Sequence, residues 1–251
     1  MKKIGILGFG AIGQKIYSQI LEEGLYEVGF IYEAFENDRL PKKISISKFP
    51  TKEILSSVDL VVEATYFETV LSYGCDILEV TNLLVMSTTA FANERIDKVI
   101  ETAKKNNKTI YVPHGAILGL DGIFDGQKLI NSVEIITTKN PKSLGREDTQ
   151  KTILFEGSTR ELAKLKPRNV NVHAAIAIAG IGFDKTVSKL ISDPSIIENT
   201  HIITIKGADF EFQLSIKSNP IGKVTGAYTP ISAYGSIKRI LKDENETIQI
   251  V

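Results

Sequence analysis

The sequence predicts an α/β protein: an N-terminal domain on a parallel sheet, residues 1–114, followed by an α+β domain on a mostly antiparallel sheet, residues 115–228. Three observations predict it. Short apolar runs alternate with helical periods as far as Pro113, the habit of a parallel sheet covered on both faces by right-handed crossovers. Beyond Pro113 the texture changes, with strand candidates over 133–138, 152–156 and 187–191. The most regular of these sets Phe210, Phe212, Leu214 and Ile216 against Glu211, Gln213, Ser215 and Lys217, which implies one buried face and one wet face.

The elements follow in order. Residues 3–7 read as a buried strand, and 11–23 as a helix with Ile12, Ile16 and Ile20 at four-residue spacing, closed by Gly24 in the usual manner of a helix end. Further strands are predicted over 28–32, 60–63, 83–86 and 109–112, with a helix over 93–106 and Cys75 inside another. In the second domain the strands are 133–138, 152–156, 187–191, one beginning at His201, and 210–217. Helices over 159–165 and 172–179 would cover the buried face. A last helical segment within 229–251 is free to return to the first domain.

Composition excludes several function classes. Thirty basic and thirty acidic residues cancel, so no overall field would hold the chain on nucleic acid or an anionic membrane. No apolar run reaches the roughly 18 residues of a membrane span, and no cleavable apolar leader follows Met1. The single cysteine, Cys75, rules out an internal disulfide and a multi-cysteine metal site, and no His/Asp/Glu cluster has ligand spacing. A cytoplasmic protein acting on a small molecule is expected, without a metal. An open antiparallel face would suit pairing as a homodimer.

Gly8-Phe9-Gly10-Ala11-Ile12-Gly13 matches G-x-G-x-x-G and lies between a strand and a helix. Gly8 makes the turn, Gly10 lets the backbone approach a pyrophosphate, and Gly13 brings helix and strand close. The amides that open the helix, at Ala11 and Ile12, and its positive dipole end suit phosphate. About 20 residues on, the second strand ends in Glu33, whose carboxylate can accept bonds from both ribose hydroxyls of an adenosine. The context makes 1–114 a Rossmann-type dinucleotide-binding domain and the protein a nicotinamide-dependent oxidoreductase, with 115–228 its substrate and catalytic domain. Glu33 would repel a 2′-phosphate, so NAD is favoured; Arg39 and Lys42 nearby keep NADP open.

Three histidines, His114, His173 and His201, are the first candidates for acid–base work, because only imidazole titrates near neutrality unperturbed. His114 follows the fifth strand, at the carboxyl end of the sheet where ligands bind. His173 lies in an apolar helical run, where packing is the plainer reading. His201 opens a strand after Asp193-Pro194 and Asn199-Thr200.

The chain resembles the L-aspartate dehydrogenases. The resemblance is carried by 113–121, PHGAILGLD; by Pro141-Lys142-Ser143-Leu144-Gly145; by Phe155-Glu156-Gly157-Ser158; by 167–172, PRNVNV; and by Asp193-Pro194 followed by Asn199-Thr200-His201. With the glycine motif these blocks cover nearly the whole chain in the family's order. The resemblance implies an NAD(P)-dependent enzyme that interconverts L-aspartate and oxaloacetate plus ammonia through an imine, hydride leaving from Cα. It also implies that His201 is the catalytic histidine, relaying a proton as water attacks the imine, and that Ala116 and Asn171 line the nicotinamide side. A dicarboxylate needs cationic partners, and Arg168, Lys142 and Lys139 are the candidates. Two departures stand out: the family has a small residue where His114 stands and alanine where His173 stands. The block Asn219-Pro220-Ile221-Gly222-Lys223 also differs. These departures admit His114 and His173 as substrate residues, and with them a dehydrogenase or imine reductase for another small amino or imino acid. A non-catalytic NAD(H)-binding sensor is the alternative of another class.

Overall fold

The computed structural model describes residues 1–221 and 225–242. One sheet comprises β1 (Lys3–Leu7), β2 (Glu27–Tyr32), β3 (Ser45–Ile46), β4 (Leu60–Glu63), β5 (Asn82–Val85) and β6 (Ile110–Tyr111). Its order is β3-β2-β1-β4-β5-β6, with every pair parallel. Helices α1 (Ala11–Glu23), α2 (Lys52–Ser56), α3 (Phe67–Leu78) and α4 (Ile96–Lys105) make its connections. The chain leaves β1 in one direction toward β2 and resumes on its other side with β4, so the crossovers diverge at the carboxyl ends of β1 and β4. A crevice opens at such a switch point, and the site lies there.

The strands at 3–7 and 60–63 and the helix at 11–23 have the predicted ends, since Ile4, Ile6, Leu7, Leu60, Val61 and Val62 are fully buried. Gly24 takes the left-handed φ of 65° and its amide donates to the Ile20 carbonyl. The helix expected over 93–106 begins three residues late. The Asn93 side chain accepts from the Arg95 amide, and the residues before it, Thr88–Ala92, form a tight 3₁₀ turn.

The second sheet comprises β7 (Ile130–Lys139), β8 (Thr152–Ser158), β9 (Val187–Ser192), β10 (Asn199–Gly207) and β11 (Glu211–Ser218), in the order β11-β10-β7-β9-β8. It is mixed: β7 and β9 run parallel, and the other three pairs are antiparallel. Helices α5 (Leu120–Asp125), α6 (Thr159–Leu165) and α7 (Asn171–Ala179) pack on one face, where Val133, Ile135, Ile203 and Ile205 meet Ile117, Ile123 and Ile176. Ser158 starts α6 with a complete capping box to Glu161. The clean alternation of 210–217 overstated its burial. β11 is an edge strand with one neighbour, and Phe212 on its apolar side is 55% exposed.

A two-stranded ribbon, β12 (Pro220–Ile221) with β13 (Thr225–Gly226), leads into α8 (Thr229–Leu241). α8 packs Ala233, Tyr234 and Ile237 against Ile4, Ile16 and Ile20, and the Tyr234 hydroxyl donates to Glu23 at 3.2 Å. The remainder of the expected segment 229–251, and Gly222 and Lys223, lie outside the described residues. No helix among those described is long and apolar enough to cross a membrane.

Candidate active site

A cleft of about 720 Å³ lies between the carboxyl ends of the parallel strands and one face of the second sheet. One wall is the glycine turn. Gly8 has φ 93°, and a Cβ there would lie 2.6 Å from the Ala64 carbonyl oxygen; a Cβ on Gly13 would collide with the carbonyl oxygen of Gly8. At Gly10 a Cβ would meet nothing within 4 Å, so this glycine leaves room in the cleft itself. Gly8, Gly10, Ala11 and Ile12 all line it, and the first-turn amides of α1 have no helical partner. The turn fits a pyrophosphate: a cradle without side chains, at the positive end of a 13-residue helix.

Glu33, at the end of β2, lines the same wall. Its carboxylate accepts from the Phe9 amide at 2.7 Å and the Phe35 amide at 3.3 Å, which locks the glycine turn to the strand that would carry the ribose. Glu63 does similar work at the floor. Buried at the end of β4, it accepts from the amides and hydroxyls of Thr65 and Ser87, 2.7–3.0 Å away, and so ties together the loops that follow β4 and β5. Burial still pushes its carboxyl pKa up. A glutamate closing the run 60–63 was the signal for it in the sequence.

The opposite wall carries side chains with chemistry. Ala116, Asn171, Asn199, His201 and Lys139 line it. Asn171 opens α7; its Oδ1 accepts from the amide and the hydroxyl of Thr89, and its own carbonyl accepts from Thr88. Its NH₂ makes no bond among the described residues and remains a donor. His201 stands on β10 directly opposite Thr137 on β7, with Nδ1 2.8 Å from the Thr137 hydroxyl. Its other ring nitrogen, Nε2, has no partner among the described residues. Burial, and then the Lys139 ammonium, push the His201 imidazole down to about 3. Burial alone brings Lys139, 3% exposed, down to about 8.

Arg168 lines the cleft, with its guanidinium 4.7 Å from the centroid of the Tyr66 ring. His114 borders the cleft with both ring nitrogens engaged. Arg239 can only donate, at 3.3 Å to Nδ1, so the ring proton lies on Nε2 and points to Asp121 at 3.2 Å. Two expectations need correction. His173 does not line the cleft: it is fully buried behind the wall, with Nε2 2.7 Å from Thr137 and Nδ1 2.9 Å from Ser188. Lys142 lies in a different hollow, with Arg146 and Asp148, because Asn140 caps a 3₁₀ turn that starts at Pro141 and carries it away from β7. Lys139, three residues earlier and still on the strand, is the lysine that reaches the cleft. Of the two departures, His114 reaches the cleft and His173 does not.

A sequence profile described as "Aspartate dehydrogenase, C-terminal" matches residues 123–240, and one described as "Homoserine dehydrogenase, NAD binding domain" matches 8–113. L-aspartate dehydrogenase of Thermotoga maritima is 33% identical over 239 residues, covering 94% of this chain and 95% of the relative. The enzyme of that name from Methanococcoides burtonii is 35% identical over 270 residues, covering 96% and 97%. The crystal structure of aspartate dehydrogenase from Thermotoga maritima superposes with a TM-score of 0.81 at 31% identity, over the full length of both chains.

Proposed function

The chain belongs to the L-aspartate dehydrogenase family, NAD(P)-dependent oxidoreductases acting on CH–NH₂ donors, and we propose that its cleft interconverts L-aspartate and oxaloacetate plus ammonia. The observation that carries this reading is a single cleft lined at one end by Gly8, Gly10 and Glu33 and at the other by His201 and Lys139. When bound, the nicotinamide supplies hydride exchange at Cα. The protein's own groups do the rest.

With the cofactor bound, the backbone at Gly10 and the first turn of α1 would hold the pyrophosphate, and Glu33 would accept from the ribose. Ala116 and the Asn171 amide would flank the nicotinamide. Lys139 and Arg168 take the substrate's two carboxylates, which fixes Cα for hydride transfer. A carboxylate beside Lys139 also changes His201. It offsets the ammonium charge that helps depress the imidazole, so the ring gains basicity when substrate is present. His201 Nε2 then takes a proton from the water that attacks the substrate imine and returns it to the departing amine. Residues 1–114, with α8 against them, form the nucleotide unit, and 115–228 the substrate unit.

Purified protein given NADH, oxaloacetate and ammonia should consume NADH. No turnover at any pH tried would remove the aspartate assignment. Glu33 favours NAD, and Michaelis constants measured for both cofactors check this: a lower value for NADP would mean that Glu33 does not face the ribose. The enzyme works in the cytoplasm as a homodimer, paired through the outer face of the second sheet, where Ile153 and Ile202 are exposed. Its lone cysteine suits that compartment, and a monomeric mass in sedimentation equilibrium would contradict the dimer.

A further inference from the structure

Behind His201 runs a chain of five polar contacts. Its Nδ1 is 2.8 Å from Thr137 Oγ1, which is 2.7 Å from His173 Nε2. His173 Nδ1 is 2.9 Å from Ser188 Oγ, which is 2.7 Å from Thr159 Oγ1. Thr159 Oγ1 lies 3.2 Å from the carbonyl oxygen of Thr186. Thr137, His173, Ser188, Thr159 and Thr186 are all 0% exposed, which makes any unmade bond among them costly.

The contacts can be counted proton by proton. Each hydroxyl has one hydrogen, each neutral imidazole has one N–H, and the carbonyl can only accept. Both rings are neutral, since burial pushes their basicity down. The charged or titratable groups that act on them are each other and the Lys139 ammonium on β7. One direction alone makes all five bonds. Thr159 donates to the Thr186 carbonyl, Ser188 to Thr159, His173 Nδ1–H to Ser188, Thr137 to His173 Nε2, and His201 Nδ1–H to Thr137. The reverse direction spends the only Thr159 hydrogen on Ser188 and so makes four of the five bonds, leaving the Thr186 carbonyl with the Thr159 amide at 3.0 Å, and it puts the His201 proton on Nε2.

We infer that this buried chain is a tautomer clamp: it holds the His201 proton on Nδ1 and presents the Nε2 lone pair to the cleft. Imidazole in water prefers its proton on Nε2, so the base would otherwise be blocked in most molecules. Thr137 and His173 are positioning residues, and which ring nitrogen is free is set by the bond the other makes. The catalytic consequence rests on His201 being the acid–base group proposed above; the clamp itself does not.

The test is nitrogen-15 NMR of the full chain labelled in its three histidine rings, near neutral pH, with signals assigned by single replacements. His201 and His173 should each show a protonated Nδ1 and an unprotonated Nε2. His114 should show the opposite tautomer, because Arg239 donates to its Nδ1, and serves as an internal control. A His201 signal with the proton on Nε2, or averaged between the two, would overturn the clamp. Thr137→Val should move the His201 proton to Nε2 and lower kcat roughly tenfold with the cofactor KM unchanged; Thr137→Ser should restore both. A valine variant that keeps the Nδ1–H signature also overturns it. If His201→Ala retains full turnover, the acid–base reading fails, and the wild-type spectrum still decides the tautomer.

Discussion

The two walls of the cleft are built by opposite means. The phosphate end of the nucleotide wall comes from one short segment, Gly8 to Gly13, and works by leaving side chains out. The chemical wall draws Lys139, Asn171 and His201 from β7, α7 and β10, and works through side chains whose charge and direction are set by burial. The first wall is a local property of backbone; the second exists only when distant strands are in register. A methyl group is the sharpest probe of the one, and a change of charge or proton the sharpest probe of the other.

The largest effect is expected at Gly13. Gly13→Ala drives a Cβ into the Gly8 carbonyl, backbone against backbone, and should cost about 3 kcal/mol of stability by urea unfolding. Gly10→Ala, with open space around its Cβ, should leave Tm unchanged and weaken dinucleotide binding about tenfold, because the methyl stands where the pyrophosphate must approach. Equal Tm for the two variants would erase the distinction between them. On the other wall, His201→Ala should lower turnover roughly 100-fold, about 2.7 kcal/mol of barrier, with dinucleotide affinity unchanged. Unaltered turnover would remove the acid–base role from His201, and no turnover in the parent chain, with dinucleotide still bound, would favour a non-catalytic sensor.

Lys139→Met should raise the KM for aspartate about tenfold and leave that for the cofactor alone. It should also raise the pKa of the His201 ring, because the ammonium is the second cause of its depression. A KM change confined to the cofactor would move Lys139 to the other wall.

The smallest effect is a slope. His173 and His201 have folded pKa values below the unfolded value of about 6.5, so as pH falls the unfolded chain takes the proton first. The stability from their neutral burial is complete above about pH 6.5 and is lost toward about 3, the folded value of His201. Each ring adds about 1.4 kcal/mol per pH unit within that window. Urea unfolding at several pH values should therefore show a shallower acid slope for His201→Phe than for the parent chain. Identical slopes would mean that the buried ring charges without cost.

Much of the first wall was legible because its signals are local. Gly8, Gly10, Gly13 and Glu33 lie within one βαβ unit, and the strand at 3–7 and the helix at 11–23 carry clear apolar periods. β3, with two residues, and α2, with five, are too short to show any period. The parallel pairing of β7 with β9 has no local signature, since a strand does not encode its neighbour. For 210–217 the alternation identified the apolar side of β11 but not whether anything covers it. His201 was legible only through ordered blocks of resemblance. Lys142 and His173 were misplaced, because a turn and a helix face decide which way they point. Thr137, at the junction of the polar chain, reads as any β-branched strand residue.

By itself the sequence determined the phosphate cradle, the acidic partner at the end of β2, the layered fold and the family. The first three depend on backbone freedom and apolar periodicity, which act between residues a few positions apart; the family came from the ordered blocks of resemblance. Tertiary structure alone decided that Thr137 faces His201 across two strands, that His173 lies behind the wall and that Lys139 lies within it. It also decided which histidines are kept neutral. Charge and tautomer follow from desolvation and from the direction of hydrogen bonds, and both are settled only when chain segments up to 125 residues apart come together.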